Sequence, residues 1–394
     1  MSSSEDLERL TDLASRAFGA RVLFATDEWF APAHHLLLPE EPVFIADKFT
    51  SFGKWMDGWE TRRKRIPGHD WCIIELGLRG TIEAIDVDTA FFTGNNAPRV
   101  SIQAARFSGD IASWPRALQQ LSTRATVDRE MGRCATKDEE ELARQLESEK
   151  WTEIVPFTEL GPGYPETRHN LLRTANHEPW THLRLNMYPD GGIARLRVYG
   201  SVVIDWSRVP ATQLVDLVAA ENGGQVIHFN DAHYGHPKNL IAPGRSLTMA
   251  GGWETARKKT RPSVLVADAS GLLEVPGKDW TVLKLGHAGV IHDIEVDTNH
   301  FKGNFPESCV IYATSFDATK NNDVDVLSLP DTAWQVLLPR TKLEAHKQHY
   351  FSVEDKTVNL LKGGINFVKL EIFPDGGISR LRLRGYKTTT ESRL

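Results

Sequence analysis

Tyr188-Pro-Asp-Gly-Gly-Ile-Ala-Arg-Leu-Arg-Val-Tyr-Gly200 recurs as Phe373-Pro-Asp-Gly-Gly-Ile-Ser-Arg-Leu-Arg-Leu-Arg-Gly385. Gly58-Trp-Glu-Thr-Arg-Arg63 recurs as Gly252-Trp-Glu-Thr-Ala-Arg257. Asp70-Trp71 followed by Glu75-Leu-Gly77 recurs as Asp279-Trp280 followed by Lys284-Leu-Gly286. Ile85-Asp-Val-Asp-Thr89 with Phe92 and Gly94-Asn95 recurs as Ile294-Glu-Val-Asp-Thr298 with Phe301 and Gly303-Asn304. Four blocks in one order mean a tandem duplication, with halves expected at 1–205 and 206–394. The join holds Pro210 and no long polar tract, so the halves are expected to pack together rather than hang on a flexible linker. Block spacings place about 24 extra residues in the first half, between Asn95 and Tyr188, and about 15 in the second, after Trp-Glu-Thr. Insertions belong in loops.

The matched blocks read as short strands. Residues 71–76 and 280–285 are β-rich and closed by glycine, and 82–87 and 291–296 follow Gly80 and Gly289. Residues 183–187 and 368–372 alternate with period two and run into Pro-Asp-Gly-Gly, a turn signal, then Arg-Leu-Arg. Leu196 and Val198 face one way, Arg195 and Arg197 the other. Helix is expected only over 6–16 and 213–220 and in the insertions, where Leu142 and Leu146 share a face. The fold class expected is all-β: two tandem antiparallel jelly-roll β-sandwiches.

Composition narrows the function. The chain has 394 residues and a net charge of −6, which disfavours non-specific nucleic-acid binding. No window approaches a membrane span. The acidic N-terminus lacks a signal-like apolar region, and three cysteines form neither a disulfide framework nor a zinc knuckle, so a reducing, cytoplasmic setting is expected. Neither a G-x-G-x-x-G after a strand nor a P-loop occurs.

These blocks resemble the allantoicase family, whose members carry two repeats, each a galactose-binding, discoidin-like jelly roll. The resemblance rests on Gly58-Trp-Glu-Thr-Arg-Arg63, His69-Asp-Trp71, Asp88-Thr89 with Phe92 and Gly94-Asn95, Pro189-Asp-Gly-Gly192 with Arg195-Leu-Arg197, and their second-half partners. It implies hydrolysis of allantoate to ureidoglycolate and urea in purine breakdown. That reaction breaks a carbon–nitrogen bond. It needs an acid for the departing urea nitrogen, a base, and an arginine for the carboxylate, but no organic cofactor.

The residues offer candidates of those types. Glu60 and Glu254 are acid/base candidates, and His300, where the first half has Phe91, could titrate near neutral pH. Arg62, Arg63 and Arg257 are anion-binding candidates, although Ala256 stands in the place of Arg62. Asp88, Asn95, Asp297 and Asn304 sit where strands leave the sandwich, as turn caps or as ligand contacts. Lys64 and Arg65 are expected to face solvent. Arg195 and Arg380 either bind carboxylate or bridge halves or subunits. His34-His35 and His346 with His349 lack a carboxylate at metal-ligand spacing, so no metal site is assigned, although a divalent ion on loop oxygens stays open. A homo-oligomer covering edge strands is possible on this reading. The rival to catalysis is a discoidin-like module that only binds a sugar or small polar ligand. The site is expected at the loop ends or between the halves, in one half or both.

Overall fold

The structure, a computed structural model, describes residue 7 and residues 10–107, 109–126, 128–260, 262–317 and 323–388. Two compact units divide the chain, Met1–Val203 and Ile204–Leu394. Each is built around one 19-residue strand, Asp70–Asp88 in the first and Asp279–Asp297 in the second.

In the first unit, the start of Asp70–Asp88 pairs with Arg21–Ala25 on one side and Pro179–Tyr188 on the other. Its end pairs with His169–Arg173 and Arg195–Val202. Pro179–Tyr188 leads on to Arg99–Ala105 and then Thr152–Glu159, all antiparallel. This exchange of partners midway folds the eight-stranded sheet into the two layers of a jelly-roll sandwich. One core joins side chains of both layers: Ile74, Ile102 and Leu185 from one, Ile85, Val87, Leu196 and Val198 from the other, all fully buried. The second unit repeats this order, with Gln225–Phe229, Ile365–Phe373, Gln348–Ser352 and Arg380–Lys387 around Asp279–Asp297.

Three sequence expectations change. The stretches 71–76 and 82–87 are one strand, and so are 280–285 and 291–296. The glycines between them permit close approach rather than ending a strand. A Cβ on Gly77 would lie 2.7 Å from the Phe18 carbonyl oxygen, and one on Gly80 would lie 2.5 Å from that of Ser201. The expected helices over 6–16 and 213–220 also give way to edge strands from Thr11 and from Val215, although Leu7 is helical (residues 6, 8 and 9 lie outside the described residues). Thr11–Asp12 pairs with Gly200 and Tyr199, and Val215–Asp216 pairs with Gly385 and Arg384. The carboxylates of Asp12 and Asp216 accept the backbone N–H of Val198 and Leu383, both at 2.9 Å, which holds these segments to the sheet edge.

The insertions differ in kind. The first unit's supplies the helices Arg116–Arg124 and Lys137–Arg144. The second is started by a Thr136–Glu139 capping box. Leu142 and Leu146 pack with Leu118 and Leu121 over Phe24, Trp71 and Ile73, covering the outer face of one layer. The second unit's insertion contains a small hairpin, Val266–Ala267 with Leu273–Glu274.

Candidate functional site

The Trp-Glu-Thr blocks are two-residue strands, Trp59–Glu60 and Trp253–Glu254, pinned at one end of each sandwich. Trp59 and Trp253 are fully buried, and their indole N–H groups donate to the carbonyls of Asp27 and Asp231 at 2.8 Å. Across from them run Gly192–Ile193 and Gly377–Ile378 of the Pro-Asp-Gly-Gly turns. Glycine is required there, because a Cβ on Gly192 or Gly377 would lie 2.0 Å from the ring of Phe92 or Phe301. Asp190 and Asp375 then accept the backbone N–H of Lys64 and Lys258 at 2.8 Å, tying turn to strand.

The glutamates held in this way each meet an asparagine. Asn95 donates through Nδ2 to Glu60 Oε1 at 2.6 Å, and Asn304 donates to Glu254 Oε1 at 2.5 Å. The same pair is therefore built twice, from sequence positions far apart. Burial raises the Glu60 carboxyl to about 7, opposed only in part by the Asn95 hydrogen bond. A carboxyl in that range exists in both protonation states near neutrality, as proton transfer requires.

That shift has a stability consequence. The folded chain holds the Glu60 proton more tightly than the unfolded chain, whose carboxyl titrates near 4.5. The associated stability is complete below that value and is lost as pH rises through about 7. Glu60→Gln has no such proton to lose. Chemical unfolding across pH should show E60Q and wild type running parallel in acid. A gap of about 1–3 kcal/mol in favour of E60Q should then open by pH 8. Parallel curves throughout would mean that Glu60 is not desolvated.

In the second unit, the Glu254–Asn304 pair faces a cavity of about 390 Å³, within the range of small-molecule sites. Tyr234, Thr255, Arg257, Glu307, Lys342 and Asp375 also line it, and Leu273 of the inserted hairpin closes one side. Arg63 and Arg257 are exposed, and neither forms an ion pair among the described residues. Both guanidiniums are open to an anion.

Other candidates serve the fold. Arg62 lies along Asp27, with Nε and Nη2 at 2.8 and 2.7 Å from Oδ2, and stacks on Trp29. Asp88 takes a bidentate contact from Arg168 and caps Ala90, and Asp297 does the same with Arg245 and Asn299. Both are almost fully buried, so their oxygens are committed to the turn. His300 lies outside the cavity lining. Its Nε2 is 3.0 Å from the Ser246 carbonyl, which can only accept, so the proton sits on Nε2. Its backbone, at φ 71° like that of Phe91 at 68°, donates to His346. This histidine shapes a turn and does not face Glu254.

Two expectations are overturned outright. Lys64 is not a solvated lysine: its Nζ reaches the fully buried Asp70 at 2.6 Å, and Lys258 pairs with Asp279 in the same way. Arg195 and Arg380 are buried rather than presented on an open face. Arg195 donates to the carbonyls of Glu40 and Asp57 and to the Asp57 carboxylate, and Arg380 donates to the carbonyls of Gly244 and Gly251. Arg197 and Arg382 bind further carbonyls of the same loops, at Leu38 and Ala242. The duplicated Arg-Leu-Arg thus fastens, in each unit, the loop that leads into Trp-Glu-Thr. Tyr234, Glu307 and Lys342 escaped sequence reasoning because none lies in a duplicated block.

Among the described residues, no three His, Cys, Asp or Glu side chains are grouped to hold a metal. No helix is long and apolar enough to cross a membrane. Comparison with known proteins bears on the whole chain. The allantoicase repeat model matches residues 11–203 and again 215–388. A probable allantoicase of Pseudomonas paraeruginosa is 42% identical over 375 residues, 95% of each chain. One of Pseudomonas fluorescens is 40% identical over 378 residues, 96% of each. The crystal structure of allantoicase from Saccharomyces cerevisiae superposes with a TM-score of 0.68 at 32% identity, covering 95% of this chain and 93% of that one. With the repeat found twice and relatives matched end to end, the chain belongs to the allantoicase family.

Proposed function

We propose that the chain hydrolyses allantoate to ureidoglycolate and urea, with the Glu–Asn pair as the proton-transfer group and the neighbouring open arginine as the carboxylate partner. The observation that carries this reading is the duplicated constellation itself: Glu60–Asn95 with Arg63, and Glu254–Asn304 with Arg257. Asparagine holds one glutamate oxygen and leaves the other for substrate. The carboxylic acid form protonates the ureido nitrogen as its bond to the central carbon breaks, and urea departs. Water adds its hydroxyl to that carbon, and its remaining proton restores the acid. Proton assistance of this kind is worth about 10²–10⁴-fold. Arg257, on the cavity wall, neutralises the substrate carboxylate and fixes which ureido group meets Glu254.

The cysteines fit a reducing cytoplasm: Cys72, Cys134 and Cys309 are all free thiols, and burial pushes the Cys72 and Cys309 thiols up, away from reactivity. Urea release from allantoate by the purified chain tests the function. A module that only binds its ligand would release none.

A further inference from the structure

The two repeats carry the same Glu–Asn pair but differ in what surrounds it. Strand register equates Lys342, opposite Ser308, with Glu159, opposite Arg99. A cation on the second repeat's cavity wall is therefore an anion in the first, where Glu159 is paired with Arg99 at 2.5 Å. Glu307 of the second repeat corresponds to Pro98 of the first. The hairpin that closes the second cavity has no first-repeat counterpart. It is latched to the rim: Glu307 accepts the backbone N–H of Leu273 at 3.2 Å, Arg340 donates to the Leu273 carbonyl at 2.9 Å, and Lys342 Nζ lies 3.5 Å from the Gly271 carbonyl. Arg340 also lies 3.4 Å from Glu307, so the added glutamate does not cancel the added lysine. In the first repeat, burial already pushes Glu60 towards its neutral form, and a second carboxylate brought there would meet the same penalty.

We propose that the second repeat, rather than the first, receives the substrate's carboxylate, and that Lys342 acts with Arg257 to hold it. This deepens the allantoate reading and rests on it. Lys342 is exposed, and replacing it gives up only the 3.5 Å contact to the Gly271 carbonyl while Glu307 and Arg340 still hold the hairpin at Leu273. K342E gives this position the charge sign of Glu159. It should raise the KM for allantoate roughly 10–100-fold, the worth of a charge-assisted contact, while kcat changes less than about threefold. K342M should raise KM less than K342E does, and K342R should restore it. Raising salt should raise the wild-type KM, and that of K342M less steeply, since only Arg257 then faces the carboxylate. An unchanged KM in K342E, or a loss that K342R does not rescue, overturns the assignment while leaving the function standing. Wild-type chain that releases no urea from allantoate overturns the function, and the assignment with it.

Discussion

Glu254→Gln should lower kcat for urea release from allantoate by about 10²–10⁴-fold with little change in KM. The amide keeps the shape and the Asn304 contact but has no proton to give to the departing nitrogen. The loss therefore appears in the chemical step and not in binding. Glu60→Gln should cost less, because the first repeat presents Glu159 where the second presents Lys342. Steady-state kinetics on the two variants separates the repeats. A larger loss in E60Q than in E254Q would move the chemistry to the first repeat, and no loss in either would remove these glutamates from the mechanism.

The largest stability effect is expected at Asp57→Ala. Burial disfavours the charge on this carboxylate, but the hydrogen bonds from Arg195 and the Val43 N–H, together with the Arg195 charge, outweigh it and hold its proton affinity below the usual range. Arg195 is itself about 1% exposed and is 2.8 Å from Asp57 Oδ2. Removing the aspartate strands a buried guanidinium and also frees the Val43 N–H that Asp57 accepts. Breaking one side of such a pair costs about 3–5 kcal/mol. Urea unfolding of D57A, followed by tryptophan fluorescence, should show that loss in the first repeat. A cost under about 1 kcal/mol would mean that the pair is solvated. The second repeat makes an instructive contrast. Among the described residues, Arg380 donates hydrogen bonds only to carbonyls, and burial lowers its affinity for the proton to about 10.

Much of this architecture was legible in the residues because duplication doubles the signal. The Trp-Glu-Thr and Pro-Asp-Gly-Gly blocks turned out to be neighbours, paired Glu60 to Gly192 and Glu254 to Gly377. Their recurrence reflects one joint that both repeats must build. The continuity of Asp70–Asp88 was hidden because glycine reads as a strand end in sequence, whereas Gly77 and Gly80 are there to let Phe18 and Ser201 pass close. Alternation places Arg195 and Arg380 on the face away from the core but does not show what covers it. The face away from the core is roofed by the loops at 38–57 and 242–251. Asp88 and Asp297 share composition and spacing with ligand-binding aspartates. Only the bidentate arginines, which come from unrelated positions 168 and 245, reveal their structural task. Lys342 and Glu307 were illegible for the opposite reason: they are what one repeat has and the other lacks, so self-comparison passes over them.

The most direct test of the account is a crystal structure of the chain with a slowly turned-over allantoate analogue. The account predicts the analogue's carboxylate against Arg257 and Lys342, and a ureido nitrogen within about 3.2 Å of Glu254. Density for the analogue elsewhere, with both the Glu60–Asn95 and Glu254–Asn304 pairs untouched, would contradict it.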